Sequence, residues 1–359
     1  MTAPHGRGLL HLAAALDRRA GYRAGPYAES ARLAERGALD FVTLHDSFAR
    51  TGPDALAVLS RVAPATGRIG LVPTMTTTHT EPFHVQAAVA TLDWVSRGRA
   101  GWRIDVSATE GEARLFGRRR AAGAEALWQE AGEVADAAAR LWDSREEDAE
   151  VGDAAAGRSI DRDEPHRVGF AGGTSGVRGP SHVPRPPQGH PVRVVDATDR
   201  YARQVAARYA DVALVRADGP ARAGAVREEL RTAAAASGRD PGTLRVLAHL
   251  VVDLADGEYA ADPGHGGGGP RRTARGPLYR GGPVDLAELI TTWYRAGAVD
   301  GFHLVPAEPC RDLERLVNGT VALLQHRGLF RTFYPGRTLR EHLGLARPAG
   351  RHTVAGETA

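Results

Sequence analysis

The sequence has no lysine, one cysteine and only two methionines among its 359 residues. A single thiol, Cys310, excludes a disulfide within the chain and fits a reducing compartment. The 46 basic residues, all arginine, are interspersed with 43 acidic residues, and no long block of one sign occurs. Nucleic-acid and membrane-surface proteins need clustered positive charge. We therefore expect no nucleic acid and no membrane among the partners.

Long apolar runs are also missing. The run Leu9–Leu16 is short, contains His11, and is followed by Asp17 and two arginines. A membrane span needs about 20 apolar residues, and a signal peptide has a different layout of charges. The run therefore predicts a buried strand in a cytoplasmic protein. Cysteine and histidine spacings typical of zinc sites are absent, so we expect no metal site.

Strand and helix patterns alternate along the chain, with short loops between them. Strands are predicted at 8–16, 39–45, 69–73, 100–106, 192–195, 212–215, 244–254 and 301–305. Helices are predicted at 28–36, 53–62, 84–95, 123–142, 201–209, 221–236, 286–296 and 313–326. Eight such units indicate a closed (β/α)₈ barrel of the TIM type, because a doubly wound sheet typically uses fewer strands and reverses direction midway.

Two stretches interrupt this alternation and are predicted to be insertions. One covers residues 143–191, after the fourth strand, and the other is a mobile loop at 255–283, around the seventh strand. The second contains four consecutive glycines, but no Lys-Ser/Thr follows them, which excludes a phosphate-binding loop of the Walker type. We expect one domain at 1–345 and a tail at 346–359. The first helix is predicted to end with a glycine cap at Gly37.

Polar residues follow most of the predicted strands, where the active site of such a barrel forms. They are His45, Asp46 and Ser47; Thr74, Thr76, Thr77, Thr78 and His79; Asp105 and Ser107; Asp196, Thr198 and Asp199; and His303.

Two of these groups allow both a structural and a functional interpretation. Asp46 is either a ligand for a cofactor N–H group or a cap for the following turn. The hydroxyls of Thr76, Thr77 and Thr78 are either strand side chains with a helix cap or a cluster that holds a polar ligand. We favour the ligand interpretation, because residues 80–82 already supply the start of the helix.

His79 and His45 are the best candidates for a catalytic base, given their residue type and position. The alternative is that each is a structural hydrogen-bond partner. Together with Asp46 they are possible metal ligands in principle, but nothing in their spacing specifies a metal.

Several long segments occur in the order found in one enzyme family. They are AERGALDFVTLHDSF (34–48), LDWVSRGRAGWRIDVS (92–107), LWDSREEDA (141–149), VRGPSHVPRPPQGHPV (177–192), AARYADV (206–212), DGFHLVP (300–306) and HRGLFRTFYPGRTLREHLGLARP (326–348). These segments resemble the bacterial luciferase-like flavin-dependent monooxygenases. The last one is similar to the branch that contains nitrilotriacetate monooxygenase, dibenzothiophene-sulfone monooxygenase and pristinamycin-type synthases.

The resemblance implies a two-component FMNH₂-dependent monooxygenase. Such an enzyme receives reduced FMN from a separate flavin reductase, binds O₂ as a flavin C4a-peroxide, and oxygenates a small organic substrate such as a secondary metabolite. It also implies a homodimer. On this resemblance Asp46 corresponds to the family aspartate near the isoalloxazine ring, Thr76 and Thr77 to the Ser/Thr pair near that ring, and Ser107 to the serine that closes Asn-Val-Val-Thr-Ser.

The sequence departs from the family at three places. The segment Asn-Val-Val-Thr-Ser is here residues 103–107, RIDVS, and a His and Tyr directed at the flavin have no counterpart between Arg120 and Ala131. In the phosphate turn, Gln-Ala-Gly-x-Ser has become residues 195–199, VDATD. Thr198 can still serve the phosphate, whereas Asp199 would repel it by roughly 1 kcal/mol or more. Two alternatives follow: a barrel without a functional flavin site that acts as a partner subunit or binding protein, and a deazaflavin (F420)-dependent oxidoreductase.

Overall fold

Eight parallel strands form a closed barrel in the computed structural model, which describes residues 8–18, 22–145, 169–171, 176–254, 269–274 and 276–350. The barrel strands are β1 (His11–Ala15), β2 (Phe41–Leu44), β3 (Gly70–Thr76), β4 (Gly101–Asp105), β7 (Val192–Asp196), β8 (Val212–Val215), β9 (Arg245–Leu254) and β12 (Gly301–Pro306). They pair in that order, and β12 pairs with β1 to close the ring. Each overlaps a predicted strand, so the prediction of a (β/α)₈ barrel is confirmed.

Helices surround the barrel between successive strands. They are α1 (Gly25–Arg36), α2 (Ala55–Val62), α3 (Pro82–Ser96), α4 (Glu110–Phe116), α5 (Ala124–Trp142), α6 (Arg200–Tyr209), α7 (Pro220–Ala236), α8 (Pro283–Arg295), α9 (Pro309–Arg315), α10 (Ala322–His326) and α11 (Leu339–His342). A π-helical turn, Leu316–Val321, joins α9 to α10. The helix predicted at 313–326 is therefore divided among three helical segments, α9, the π-helical turn and α10.

Helix α4 lies within the stretch after β4, where the sequence analysis predicted no helix. Its start is a capping box in which the Thr109 side chain accepts from the Glu112 backbone and Glu112 reaches back to Thr109. It ends at Gly117, whose φ of +62° is the left-handed conformation that favours glycine. Both signals are present in the sequence.

The two predicted insertions are described in part. Residues 146–168, 172–175, 255–268 and 275 lie outside the described residues, so the expected mobility of the 255–283 loop stays a prediction. In the first insertion, β5 (Gly169–Ala171) and β6 (Gly176–Arg178) form an antiparallel pair. In the second, β10 (Arg271–Thr273) pairs with β11 (Gly276–Gly281), which lies parallel to β9.

The predicted glycine cap at Gly37 is wrong in its conformation. Gly37 ends α1 with a right-handed φ of −73°, and the following Ala38 has the positive φ, +58°. Space favours glycine at 37, because a Cβ atom there would lie 3.0 Å from Leu39 and 3.1 Å from Val317.

The N-terminal end of the barrel is filled by apolar side chains. Phe41, Val72 and Leu247 pack there with Leu339 and Leu343, at the ends of α11. Beside them, the buried Asp40 carboxylate accepts from the Leu12 backbone and from the side chains of His11 and Arg331. The pKa of Asp40 is about 2, because these partners outweigh the upward effect of burial.

Across the described ranges, no helix combines the length and the apolar character needed to span a membrane.

Gly301 lies where β12 meets β1, in register with His11. A Cβ atom at this position would be 2.0 Å from the His11 carbonyl oxygen, which is backbone and cannot rotate away. We predict that Gly301→Ala destabilises the fold by at least about 3 kcal/mol, at the upper end for overpacked cores. For a chain of 359 residues, a melting-temperature decrease of at least roughly 4 °C would follow. Gly52→Ala is the control, because the added Cβ atom there has no other atom within 4 Å. Equal melting temperatures of the two variants would contradict the packing argument.

Candidate active site

A cavity of about 750 Å³ opens at the C-terminal ends of the barrel strands. This volume lies in the range of small-molecule sites. Six arginines, three histidines and three carboxylates dominate its lining, which consists of Asp17, Arg18, His45, Arg50, Arg103, Arg216, His249, Val251, Asp253, Arg280, His303, Val305, Pro306, Ala307, Glu308, Pro309 and Arg311.

Strand alternation aims the deepest of these groups at the cavity. On β4, Trp102 and Ile104 pack outward against the helices, so Arg103 between them faces inward. Arg216 directly follows β8, with the same parity as the inward Leu214. On β9, His249 likewise shares the parity of Leu247.

Asp196, at the end of β7, joins two of the arginines. Its Oδ2 accepts from Arg216 at 2.8 Å and from Arg103 at 3.4 Å, and its Oδ1 accepts from the Thr198 hydroxyl at 2.5 Å. Burial raises the pKa of this carboxyl, but the two guanidiniums and His249 lower it to about 2. One carboxylate therefore balances two cations, the buried Arg103 and Arg216, whose side chain is 31% exposed.

Two stacked histidines lie beside this group. The Nδ1 atoms of His249 and His303 are 3.0 Å apart, so one ring must donate its proton to the other. The His303 Nε2 is 2.8 Å from the Thr43 hydroxyl. Burial lowers the pKa of His249 to about 4 and that of His303 well below its usual value. Both rings are therefore neutral near pH 7.

His45 faces the same cavity from the end of β2. Burial lowers its pKa, and the nearby Arg103 lowers it further. Its Nδ1 is buried without a hydrogen-bond partner in the described part of the chain. A neutral imidazole with a free nitrogen can accept a proton or a hydrogen bond from a ligand.

The predicted hydroxyl cluster joins the ends of β3 and β4. Thr76 Oγ1 lies 2.9 Å from Ser107 Oγ, and the Thr78 hydroxyl accepts from the Ser107 backbone at 2.9 Å. Thr77 donates through its backbone N–H to the Asp105 carbonyl. The Ser107 hydroxyl also bonds to the Glu112 carboxylate, which can only accept, so both hydroxyl hydrogens of the pair are used and lone pairs remain for a ligand.

Asp46 has a structural contact, as one of the two interpretations expected. Its Oδ2 accepts from the Ala55 backbone at 3.0 Å, while the side-chain cap of α2 is Asp54. Asp46 also lines a smaller pocket of about 190 Å³ with Thr74 and Thr76. Thr74 Oγ1 is buried there and has no partner among the described residues.

The remaining predicted residues lie in other places. His79 lines a separate pocket of about 190 Å³, stacks on Phe116 with ring centroids 4.4 Å apart, and has its pKa lowered by burial. Thr198 is exposed and bonded to Asp196, and Asp199 caps α6 by accepting from the backbone of Tyr201 and Ala202. The structure thus distributes the predicted site over three pockets and one exposed turn.

Several lining residues were not among the candidates. They are Asp17, Arg18, Arg50, Arg216, His249, Asp253, Arg280, Glu308 and Arg311. For His249, Asp253 and Arg216 a signal was available: each is polar and has the inward parity of a Val- and Leu-rich strand. The others lie at strand ends, in loops or on α9, where parity does not specify direction.

The comparisons with known proteins agree in family. Residues 9–276 match the family model described as luciferase-like monooxygenase. Nitrilotriacetate monooxygenase component A from Aminobacter aminovorans is 32% identical, over 90% of each chain. Dibenzothiophene-sulfone monooxygenase from Rhodococcus erythropolis is 28% identical, again over 90% of each. The solved structure of EDTA monooxygenase from Chelativorans sp. BNC1 superposes with a TM-score of 0.80 at 22% identity, covering 94% of this chain and 99% of that one.

Asp196 provides a test of the charge arrangement. Its pKa in the folded protein is about 2, below the ordinary 3.8. The ionised carboxylate therefore adds about 2 kcal/mol to the free energy of unfolding. This contribution is complete above about pH 4 and is lost as the pH falls towards 2. We predict that Asp196→Asn, which leaves the buried Arg103 and the partly exposed Arg216 without their carboxylate, lowers the unfolding free energy at pH 7 by about 3 kcal/mol.

Urea unfolding of both proteins between pH 7 and pH 2.5 measures this difference. The difference in unfolding free energy should narrow below pH 4, because the Asp196 carboxylate of the unfolded chain is protonated there while the native one stays ionised until about pH 2. Asp54→Asn is the control for loss of one carboxylate, because it is exposed and an asparagine also caps a helix. A difference in unfolding free energy that does not change with pH would contradict the role assigned to Asp196.

Proposed function

We propose that this chain, which belongs to the luciferase-like monooxygenase family, is the oxygenase component of a two-component monooxygenase. It receives reduced FMN from a separate reductase and uses O₂ as co-substrate. When bound, the reduced flavin supplies the electrons that activate O₂ for transfer of one oxygen atom to an organic substrate. The relative named as a component A supports the division into two components. The homodimer implied by the sequence resemblance stays a prediction.

One observation carries the proposal: unpartnered polar atoms are buried at the mouth of the barrel. They are His45 Nδ1, Thr74 Oγ1, Arg103 Nε and Arg216 Nε. Each buried group without a hydrogen bond costs about 1–3 kcal/mol, so a ligand that bonds to several of them is strongly favoured. A flavin ring has donors and acceptors along one edge, and it fits this requirement.

The ring would be held between Asp46, Thr76, Thr77 and Ser107 on one side and Arg103 on the other. Asp46 has a carboxylate oxygen left to accept from a ring N–H, and the oxygens of the Thr76–Ser107 pair have lone pairs left to accept from another. The Arg103 cation stabilises a negative charge on the ring. Because the reduced ring ionises near neutral pH and the oxidised ring does not, we expect the reduced form to bind more tightly.

The phosphate end of FMN fits less well. A helix N-terminus is a natural site for a phosphate, but the Asp199 carboxylate already accepts the first N–H groups of α6. The Thr198 hydroxyl, the predicted phosphate ligand, donates to Asp196. The described residues therefore suit the ring and oppose the phosphate at this turn.

We assign the role of base to His45, with His79 as the second candidate. His45 lines the main cavity as a neutral imidazole with a free nitrogen, so it can take a proton from a substrate. His79 also has a free buried nitrogen, Nε2, but lies in the pocket formed with Arg119 and Glu130.

Anaerobic titration of the purified protein with photoreduced FMN, and separately with oxidised FMN, tests the function. We expect a micromolar or lower Kd for the reduced form and at least tenfold weaker binding of the oxidised form. Thr76→Val and Asp46→Ala should each raise the Kd about fivefold to tenfold, the effect of one lost hydrogen bond. Thr91→Val is the control, because that hydroxyl bonds within α3, to Ala87.

The alternatives correspond to other outcomes of the same titration. No binding of FMN in either redox state would exclude the oxygenase and favour a partner subunit without flavin. Binding of deazaflavin F420 alone would indicate a hydride-transfer enzyme.

Asp199 should weaken FMN binding through its charge. We predict that Asp199→Ser strengthens the binding of reduced FMN roughly fivefold to thirtyfold, since removing one carboxylate near a phosphate is worth about 1–2 kcal/mol. Serine keeps the helix cap, so the fold should not change. Riboflavin, which has the same ring and no phosphate, is the matched ligand, and its Kd should not change. An equal gain for riboflavin would show that the effect does not come from the phosphate.

A further inference from the structure

Three polar side chains form a hydrogen-bonded row inside the barrel, at the inner wall of the cavity. Thr43 Oγ1 lies 2.8 Å from His303 Nε2, and His303 Nδ1 lies 3.0 Å from His249 Nδ1. The two histidines line the cavity, whereas Thr43 is only 1% exposed. The row therefore connects a fully buried hydroxyl to the cavity.

Strand parity and register bring these three side chains together. Thr43 has the inward parity of β2. His303 and His249 are register partners on the neighbouring strands β12 and β9, so their rings stack with centroids 5.0 Å apart. Strand β1 lies between β12 and β2, and its residues in register with His303 and Thr43 are Ala13 and Ala15. These small side chains leave room for a direct bond across β1.

The hydrogens of the row can be placed by counting donors and acceptors. The Thr43 hydroxyl has no second hydrogen-bond partner in the described part of the chain, so its hydrogen is paired only if it donates to His303 Nε2. A neutral His303 ring then carries its proton on Nδ1 and donates it to His249 Nδ1. His249 in turn carries its own proton on Nε2. Both rings are neutral near pH 7, because burial lowers their pKa values.

The reverse direction of the row leaves a buried donor unpaired. If His303 donated to Thr43, the hydroxyl hydrogen would have no acceptor, and Thr43 is too deeply buried to bond to bulk water. The ordinary cost of one such group favours the first direction at least about fivefold. In the reverse direction, His249 would present a lone pair to the cavity and act as a base. The direction of the row therefore decides whether His249 donates or accepts.

The Nε2 atom of His249 is the end of the row that remains for a ligand. It bonds to none of the described residues, and its ring lines the cavity. The charged groups with the largest effects on this ring are Asp196, Arg216 and Arg103. The Asp196 carboxylate accepts from both arginines and from Thr198, and it does not bond to the ring. A bound molecule is thus the remaining partner for this nitrogen.

We propose that Thr43 and His303 are positioning residues that hold His249 as a neutral hydrogen-bond donor, with an N–H group at Nε2 for an acceptor atom of the ligand. A carbonyl oxygen is such an acceptor. A neutral imidazole can polarise this oxygen without giving up or taking a proton. The inference goes beyond the proposed function, in which His45 is the base, and it does not depend on a flavin.

The experiment records long-range ¹H–¹⁵N correlation spectra of the full chain, labelled with ¹⁵N-histidine, near pH 7 and without ligand. These spectra show which nitrogen of each ring carries the proton, and the variants His249→Gln and His303→Gln assign the signals. We expect the proton on Nε2 of His249 and on Nδ1 of His303, at least about five times as often as the reverse. A proton on Nδ1 of His249, an even mixture of the two forms, or a charged His249 ring would overturn the proposal.

Thr43→Val tests the role of the hydroxyl. Without it, either direction of the row leaves one His303 nitrogen unpaired, so the excess of the His249 form with Nε2–H should be lost. Thr43→Ser keeps a hydroxyl and should restore the excess. Thr91→Val makes the same change in α3, where the hydroxyl bonds to Ala87, and should leave the spectra unchanged.

The variants separate the role of Thr43 from the direction of the row. If a folded Thr43→Val protein kept the His249 proton on Nε2 to the same extent, Thr43 would not be a positioning residue. The spectrum of the unchanged protein decides the direction of the row even if Thr43→Val does not fold. Because no flavin is present in the measurement, the result stands or fails separately from the FMN titration.

Discussion

Closure of a parallel barrel imposes one constraint on every strand: alternate side chains must fit into a single enclosed interior. At the N-terminal end this space is filled by apolar groups such as Phe41, Val72 and Leu247 and plugged by Leu339 and Leu343. At the C-terminal end the inward positions hold Arg103, Arg216 and His249 instead. Polar groups cannot pack into a dry core at low cost, so this end stays open as a cavity.

Electrostatics then determines what the cavity can accept. Asp196 stabilises Arg103 and Arg216 inside the barrel, and it satisfies only part of their hydrogen-bonding capacity. The histidines beside them are neutral because burial opposes their charge. The cavity therefore combines fixed positive charge with neutral hydrogen-bonding rings. In the proposed function, this combination suits the negatively charged ring of a reduced flavin.

The departures from the family segments acquire a physical meaning in the structure. Arg103 and Asp196, both in segments that differ from the family, lie on neighbouring strands and form an ion pair. Asp199 caps α6, so its carboxylate lies at the N-terminal end of that helix. The first change places an ion pair at the wall of the cavity, and the second, in the proposed function, weakens the site for the flavin phosphate.

The sequence by itself determined the barrel, because hydrophobic period and strand length are local properties, and each of the eight predicted strands overlaps an observed one. It also placed His45, Asp46, Thr76 and Ser107 after strands, and so at the open end. It could not show that Thr76 and Ser107 touch, that His45 and His79 face different pockets, or that Asp196 joins Arg103 to Arg216. Those pairings connect residues from 20 to more than 90 positions apart, and only the closure and stagger of the barrel bring them together.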